Sequence, residues 1–153
     1  MTQPPLPALP PGFELSDDVE RIDRALVHSW LSEQAYWSLG RPREMQDRAI
    51  EGSWNFGVYR VGTGEQVAYA RVVTDRATFA WICDVFVDSS ARGLGVGTAL
   101  IAGVVAALEP LAMGRVVLAT RDAHELYTKF GFEHIPNPER WMSKLAQPAQ
   151  SSG

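Results

Sequence analysis

The segment Val85–Leu100, VFVDSSARGLGVGTAL, limits the fold more than any other stretch of the chain. It passes from dense apolar alternation into glycines at 93, 95 and 97, then into small and apolar residues with no breaker. A strand therefore runs through a glycine-rich loop directly into a helix. Relief of strain in a tight turn explains one such glycine. Three at alternate positions fit a loop whose backbone N–H groups converge on an anion. Glycine lets the main chain approach a ligand without an intervening Cβ, and the first helical turn adds unpaired donors and a partial positive charge. Arg92 adds a full charge at the mouth.

The flanking sequence extends this unit in both directions. Three runs of β-type composition precede it: WNFGVYRV, QVAYARVVT and TFAWICDVFVD, joined by GTGE and DRA. Connections this short force antiparallel neighbours, because a parallel return needs a longer crossover. After the helix, which Pro110 ends, GRVVLAT is a further strand. One helix separates it from the preceding strand, so the two are expected to be parallel, with a right-handed crossover. AHELYTKFG reads as a helix stopped by Gly131, and FEHI and RWMSKLA as one or two last strands. Upstream, GFEL is a short strand. SDDVERIDRALVHSWLSEQ is a helix opened by Asp17 and Glu20 at capping-box spacing, or by Ser16, with Val19, Ile22, Leu26 and Trp30 on one face. PREMQDRAIEGS is a short polar helix closed by Gly52. The expected class is a mixed α/β (α+β) sheet, with an antiparallel front half joined to a β-α-β-α-β half.

A chain of 153 residues, 46% apolar and 21% charged, suits one domain with one substantial core. Its expected limits are 12–146, between a Pro-rich leader (1–11) and a tail (147–153), both extended and mobile. The leader has no cationic start and is read as neither signal nor transit peptide. The longest apolar run, Val96 to Leu108, falls short of the roughly 20 residues a membrane span needs. A net charge of −4 disfavours nucleic acid as the principal partner, since phosphate binding needs a dense cationic face. Cys83 is the single cysteine, so neither an intrachain disulfide nor a cysteine-paired zinc site is available, and no metal is expected. The thiol reads as a buried filler before a nucleophile, and a reducing cytoplasm fits.

Two nucleotide readings of the glycine loop weaken. A triphosphate loop would carry a lysine, and none lies near. A dinucleotide loop would space its third glycine further on and place an acid about 20 residues later, at the end of the next strand. The nearest candidate, Glu109, ends the same helix.

Arg92-Gly93-Leu94-Gly95-Val96-Gly97 resembles the R/Q-x-x-G-x-G/A motif of the GNAT superfamily of acyl-CoA-dependent N-acyltransferases. A second segment agrees: RDAHELYTKFGFEHI resembles that family's later motif, A-x-x-x-Y-x-x-x-G-F, through Ala123, Tyr127, Gly131 and Phe132. The two motifs stand in family order with the strand RVVLAT between them, and the likeness covers roughly residues 13 to 145.

The resemblance implies acetyl-CoA as donor. Arg92, Gly93, Leu94, Gly95, Val96, Gly97 and Thr98 would line its pyrophosphate. The strand before the loop would splay from its parallel neighbour, and its Val85–Phe86–Val87 backbone would bond the pantetheine arm. Tyr127 would protonate the departing thiolate; its plainer reading is a core aromatic beside Phe130 and Phe132. The acceptor would be a primary amine of a small molecule, attacking directly. An ammonium is not a nucleophile, so a base must take its proton. Asp84 is a candidate base, an anchor for the substrate ammonium, or a partner to an arginine such as Arg71; an unpaired carboxylate in so apolar a strand would be costly. His124 is a further candidate base. By the same likeness His28, Tyr36, Trp37 and Arg41 would contribute to the acceptor pocket. Five tryptophans are many for a small domain, and Trp30, Trp37, Trp54 and Trp81 are candidates to wall that pocket, although each taken singly reads first as core. Aromatics with Asp84 would suit a small cationic amine. Relatives in the superfamily are often dimers, so a homodimer is expected. The alternatives are a non-catalytic acyl-CoA-binding module and a protein or peptide acetyltransferase.

Overall fold

The computed structural model describes residues 8–146. The leader up to residue 7 and the tail 147–153 expected from the sequence lie outside the described residues. The strands are β1 (Phe13–Ser16), β2 (Trp54–Arg60), β3 (Gln66–Thr74), β4 (Phe79–Val87) and β5 (Arg115–Leu118). The helices are α1 (Arg24–Glu33), α2 (Arg43–Glu51), α3 (Val96–Leu108) and α4 (His124–Thr128). One mixed sheet runs in the order β1-β2-β3-β4-β5, antiparallel through β4 and parallel between β4 and β5. The short turns and the single crossover dictate this order.

Two apolar layers flank the sheet. On one face α3 packs Val96, Leu100 and Val104 against Val58, Ala68, Ala70, Val72, Ala80 and Ile82. On the other, Val27, Trp30 and Leu31 of α1 and Ile50 of α2 meet Tyr69 and Phe86.

The start of α1 differs from expectation. Val19–Arg21 forms a 3-10 turn capped by Asp18, Ile22 is extended, and α1 begins only after Asp23, whose carboxylate accepts from the Leu26 N–H at 3.1 Å. A tertiary contact fixes this point, because the Asp23 N–H donates to Gln66 Oε1 on β3 at 2.8 Å.

The last strands are also corrected. FEHI and RWMSKLA form none: β5 is the final strand among the described residues, followed by a 3-10 turn at Pro138–Arg140. Pro136 and Pro138 lack N–H donors, and Asn137 between them sits at φ 53, outside the extended region. The half expected as β-α-β-α-β is thus β-α-β-α here.

The feature that positions the site is a bulge in β4. Tyr69 opposes Phe86 and Arg71 opposes Cys83, so one residue of β3 faces two of β4, Asp84 and Val85. Ala80 and Ile82 face α3 before the bulge, and Val85 and Val87 face it afterwards. The extra residue switches the parity of the strand. It takes Asp84, at φ 51, out of the α3 core. A non-glycine residue there costs free energy that the surroundings must offset.

β4 and β5 pair only from Phe79 opposite Arg115 to Ile82 opposite Leu118. Beyond them, among the described residues, no strand pairs the Cys83–Val87 stretch of β4 on its β5 side. The central parallel strands therefore splay, as expected.

Candidate active site

The glycine loop follows β4 through a 3-10 turn at Ser89–Ala91, capped by the Asp88 carboxylate. Gly93 and Gly95 lie at φ 76 and φ 85, where a side chain is strained, and a Cβ at either would meet nothing within 4 Å. The loop is thus shaped for close approach and stands open. Gly95 caps α3 without any side-chain hydrogen bond, so the first-turn N–H groups of Val96, Gly97 and Thr98 keep no capping partner. Arg92 is exposed; its Nε–H donates to the Val87 carbonyl at 2.9 Å and its guanidinium lies 5.5 Å from the Phe86 ring centre. This ties the loop to the end of β4. Leu94 is half exposed at the loop tip. These features fit a diphosphate, with converging amides, a helix N-terminus and a cation at one mouth.

A cleft of about 620 Å³ continues from there along Val85, Phe86 and Val87. Gln34, Ala35, Tyr36 and Trp37 form its other wall, with Arg92, Arg121 and Asp122 at its edges. The unpaired backbone of β4 therefore borders a slot, the arrangement an extended, amide-bearing arm needs. A second hollow of about 960 Å³ lies between β5, the end of α3 and residues 124–136. It is larger, yet it contains none of the glycine-loop residues, so the smaller cleft is the better seat for the acyl carrier.

Tyr127 is buried on α4, with its ring edge-on to Phe132 at 5.9 Å, and it lines the second hollow. Burial raises its phenol pKa, so the hydroxyl is protonated at neutral pH. His124 is exposed on the same helix and lies against His134 at 5.7 Å.

Asp84 is buried and fully engaged by its neighbours. Its Oδ2 accepts from Arg41 Nη1 at 2.7 Å and from Arg71 Nε at 2.9 Å. Its Oδ1 accepts from the Trp37 indole N–H at 2.9 Å and, at 3.4 Å, from Arg41 Nη2. Burial alone would raise its pKa. The hydrogen bonds and charges of Arg41 and Arg71 outweigh that and hold the carboxyl below the usual carboxylate range. Of the three roles open to it, partner to an arginine is the one these contacts realise. A carboxylate this stabilised has little affinity for a proton, and its lone pairs are already directed at other donors.

The rest of the anticipated acceptor wall is partly assembled. Arg41 reaches Asp84 from the loop before α2; its Nη1 also donates to the buried Gln46 Oε1 at 2.8 Å. His28 Nε2 lies 2.7 Å from the Arg41 carbonyl oxygen and steadies that loop. Tyr36 and Trp37 are exposed, edge to face at 5.1 Å. Of the four tryptophans named, only Trp37 lines the cleft. Trp30 is buried in a stack with Phe86, Trp54 packs on Phe56 under Arg76, and Trp81 is exposed toward the start of β4.

Four cleft residues, Gln34, Ala35, Arg121 and Asp122, were not anticipated. The Arg121 guanidinium lies 3.9 Å from the Tyr36 ring centre, at the edge of the cleft. It follows the carboxyl end of a parallel strand, where ligands of open α/β sheets bind, and that position was readable in the sequence.

Residues 23–132 match the family model described as the acetyltransferase (GNAT) family. The chain belongs to the GNAT acetyltransferase family. It is similar to serotonin N-acetyltransferase 2, chloroplastic, of Oryza sativa subsp. japonica, 31% identical over 128 residues that cover 81% of this chain and 52% of that protein. The chain thus spans about half the length of the rice relative. Among solved structures it resembles a GNAT-family protein of Xanthomonas campestris pv. campestris (xcc2953), with TM-score 0.85, 37% identity, and 93% and 99% of the two chains covered. It shares its fold with a Clostridium acetobutylicum acetyltransferase solved with acetyl-CoA, with TM-score 0.63, 15% identity and coverage of 87% and 94%. The family uses acetyl-CoA as its acyl donor. Among the described residues no helix is long and apolar enough to cross a membrane, and no group of three or more His, Cys, Asp or Glu is placed to hold a metal.

Proposed function

We propose that the chain transfers the acetyl group of acetyl-CoA to a primary amine of a small molecule, by direct attack within a ternary complex. The observation that carries this reading is the continuity of the open glycine cradle at α3 with the unpaired backbone of β4. Bound there, acetyl-CoA supplies an acetyl group activated as a thioester. The amides of Gly93 to Thr98 and the Arg92 cation hold the phosphates. The Val85–Val87 backbone aligns the arm, and Phe86 floors the slot. Tyr127 keeps its proton at neutral pH; it lines the neighbouring hollow rather than the cleft, and in the proposed reaction its hydroxyl reaches across to protonate the leaving sulfur. Asp84 serves as a positioning residue that draws Trp37, Arg41 and Arg71 together. The proton of the amine is left to water in the cleft.

Tyr36 and Trp37 give the acceptor end of the cleft an aromatic surface, so the amines favoured carry an aromatic ring. The name of the rice relative, with serotonin as acceptor, supports this choice. The free Cys83 suits a cytoplasmic setting. The test is release of free CoA thiol from acetyl-CoA across a panel of aromatic and aliphatic amines. Turnover with intersecting initial-rate lines supports the reading. Saturable cofactor binding with no thiol release would make the chain a binding module instead.

A further inference from the structure

One carboxylate in this site is shared by two guanidiniums. Asp84 is 4% exposed, and the side chains of Arg41 and Arg71 are 17% and 12% exposed. Two positive charges against one negative leave the cluster with an excess of one positive charge, poorly hydrated. Such a charge is costly unless an anion offsets it.

The donors also outnumber their partners. Each guanidinium carries five N–H groups. Arg41 uses Nη1 on Gln46 and Asp84 and Nη2 weakly on Asp84; Arg71 uses Nε on Asp84 and Nη1 on Ser53. Roughly half of the N–H groups remain without a partner among the described residues. Gln46, wholly buried, accepts from Arg41 through its oxygen, while its Nε2 has no partner. A buried donor without an acceptor is rare in native proteins, so Gln46 Nε2 points to a missing acceptor, while the unused guanidinium N–H groups belong to side chains that solvent still reaches.

The cluster adjoins the cleft. The Trp37 ring lines the slot while its N–H bonds Asp84, and Val85, the next residue in the chain, lines the slot as well. We infer that the acceptor is an amine bearing a carboxylate, an amino acid rather than a simple alkylamine, with the carboxylate neutralising the Arg41–Arg71 pair. Planar guanidiniums match a carboxylate geometrically as well as in charge. The inference rests on the acetyltransferase reading above and departs from the simple amine in the rice relative's name.

The experiment compares matched pairs that differ only by the carboxylate: tryptophan with tryptamine, and phenylalanine with phenethylamine. CoA thiol release is measured on the full chain, with kcat/KM corrected for the unprotonated fraction of each amine. The carboxylated member is expected to lead by about tenfold or more, the discrimination a buried polar site gives against an analogue lacking the group. Arg71→Gln brings the cluster to neutrality and is expected to erase the preference, whereas Arg71→Lys keeps the charge and retains most of it. Melting temperature and acetyl-CoA binding establish that each variant is folded; if Arg71→Gln is not, the native pairs decide alone. Equal or faster turnover of the decarboxylated members overturns this inference and leaves the acetyltransferase standing. So does a preference that survives in a folded Arg71→Gln. No thiol release from any amine overturns both.

Discussion

Tyr127 carries the sharpest residue-level expectation. Tyr127→Phe removes the one proton the mechanism takes from the protein and leaves the ring packed on Phe132. Turnover should fall roughly 10²-fold, with acetyl-CoA affinity and melting temperature unchanged, in a thiol-release assay paired with calorimetry. Asp84→Ala tests a different property. It leaves two buried guanidiniums facing each other, and urea unfolding should show a loss of roughly 3–5 kcal/mol, the usual cost of breaking one side of a buried ion pair. The pairing with Arg71 was legible as one of three roles, since an unpaired carboxylate in so apolar a strand is costly. The tie to Arg41 was not, because 43 residues separate the two and only the α1–α2 packing brings them together. Cys83 also follows from its surroundings. Burial pushes its thiol up to about 11, so alkylation at pH 8 should be far slower in the folded chain than in urea.

Among the elements, the loop and α3 act as one device. Gly95→Val puts a β-branched side chain at φ 85, in the open space proposed for the phosphates, and removes the N-cap geometry of α3. Acetyl-CoA binding should be lost, while the far end of α3, packed through Leu100 and Val104, keeps the fold cooperative in thermal melts. The elements legible in the sequence are those set by local chemistry. The hairpins of β2, β3 and β4 follow from their turns, and the strand–loop–helix unit follows from its glycines. The elements misread are those set at long range. The start of α1 shifts because Gln66 on β3 takes the Asp23 N–H, a contact no spacing rule contains. The strand expected at RWMSKLA has the right composition, yet the Pro136–Asn137–Pro138 kink delivers it away from β5. Trp141 lies under the Arg115 guanidinium at 5.0 Å.

Over the whole molecule, the shifted groups set a stability window in pH. The folded pKa of Asp84 lies below its unfolded value, so its contribution is complete above the ordinary carboxylate range and fades as pH falls through the folded value. Cys83 is raised from 9.0 to about 11 and Tyr59 from 10.0 to about 12, both by burial. Their contribution is complete below the unfolded values and is lost as pH rises from about 9 to about 12. Urea midpoints should therefore hold a plateau through neutrality and fall on both flanks, and Asp84→Ala should flatten the acid flank specifically. With the cradle where the sheet opens onto α3 as the proposed acetyl-CoA site, titration calorimetry with acetyl-CoA should give saturable one-to-one binding by the native chain and none by folded Gly95→Val. Native protein that gives no heat at millimolar acetyl-CoA, or a Gly95→Val variant that binds as the native chain does, would contradict this assignment.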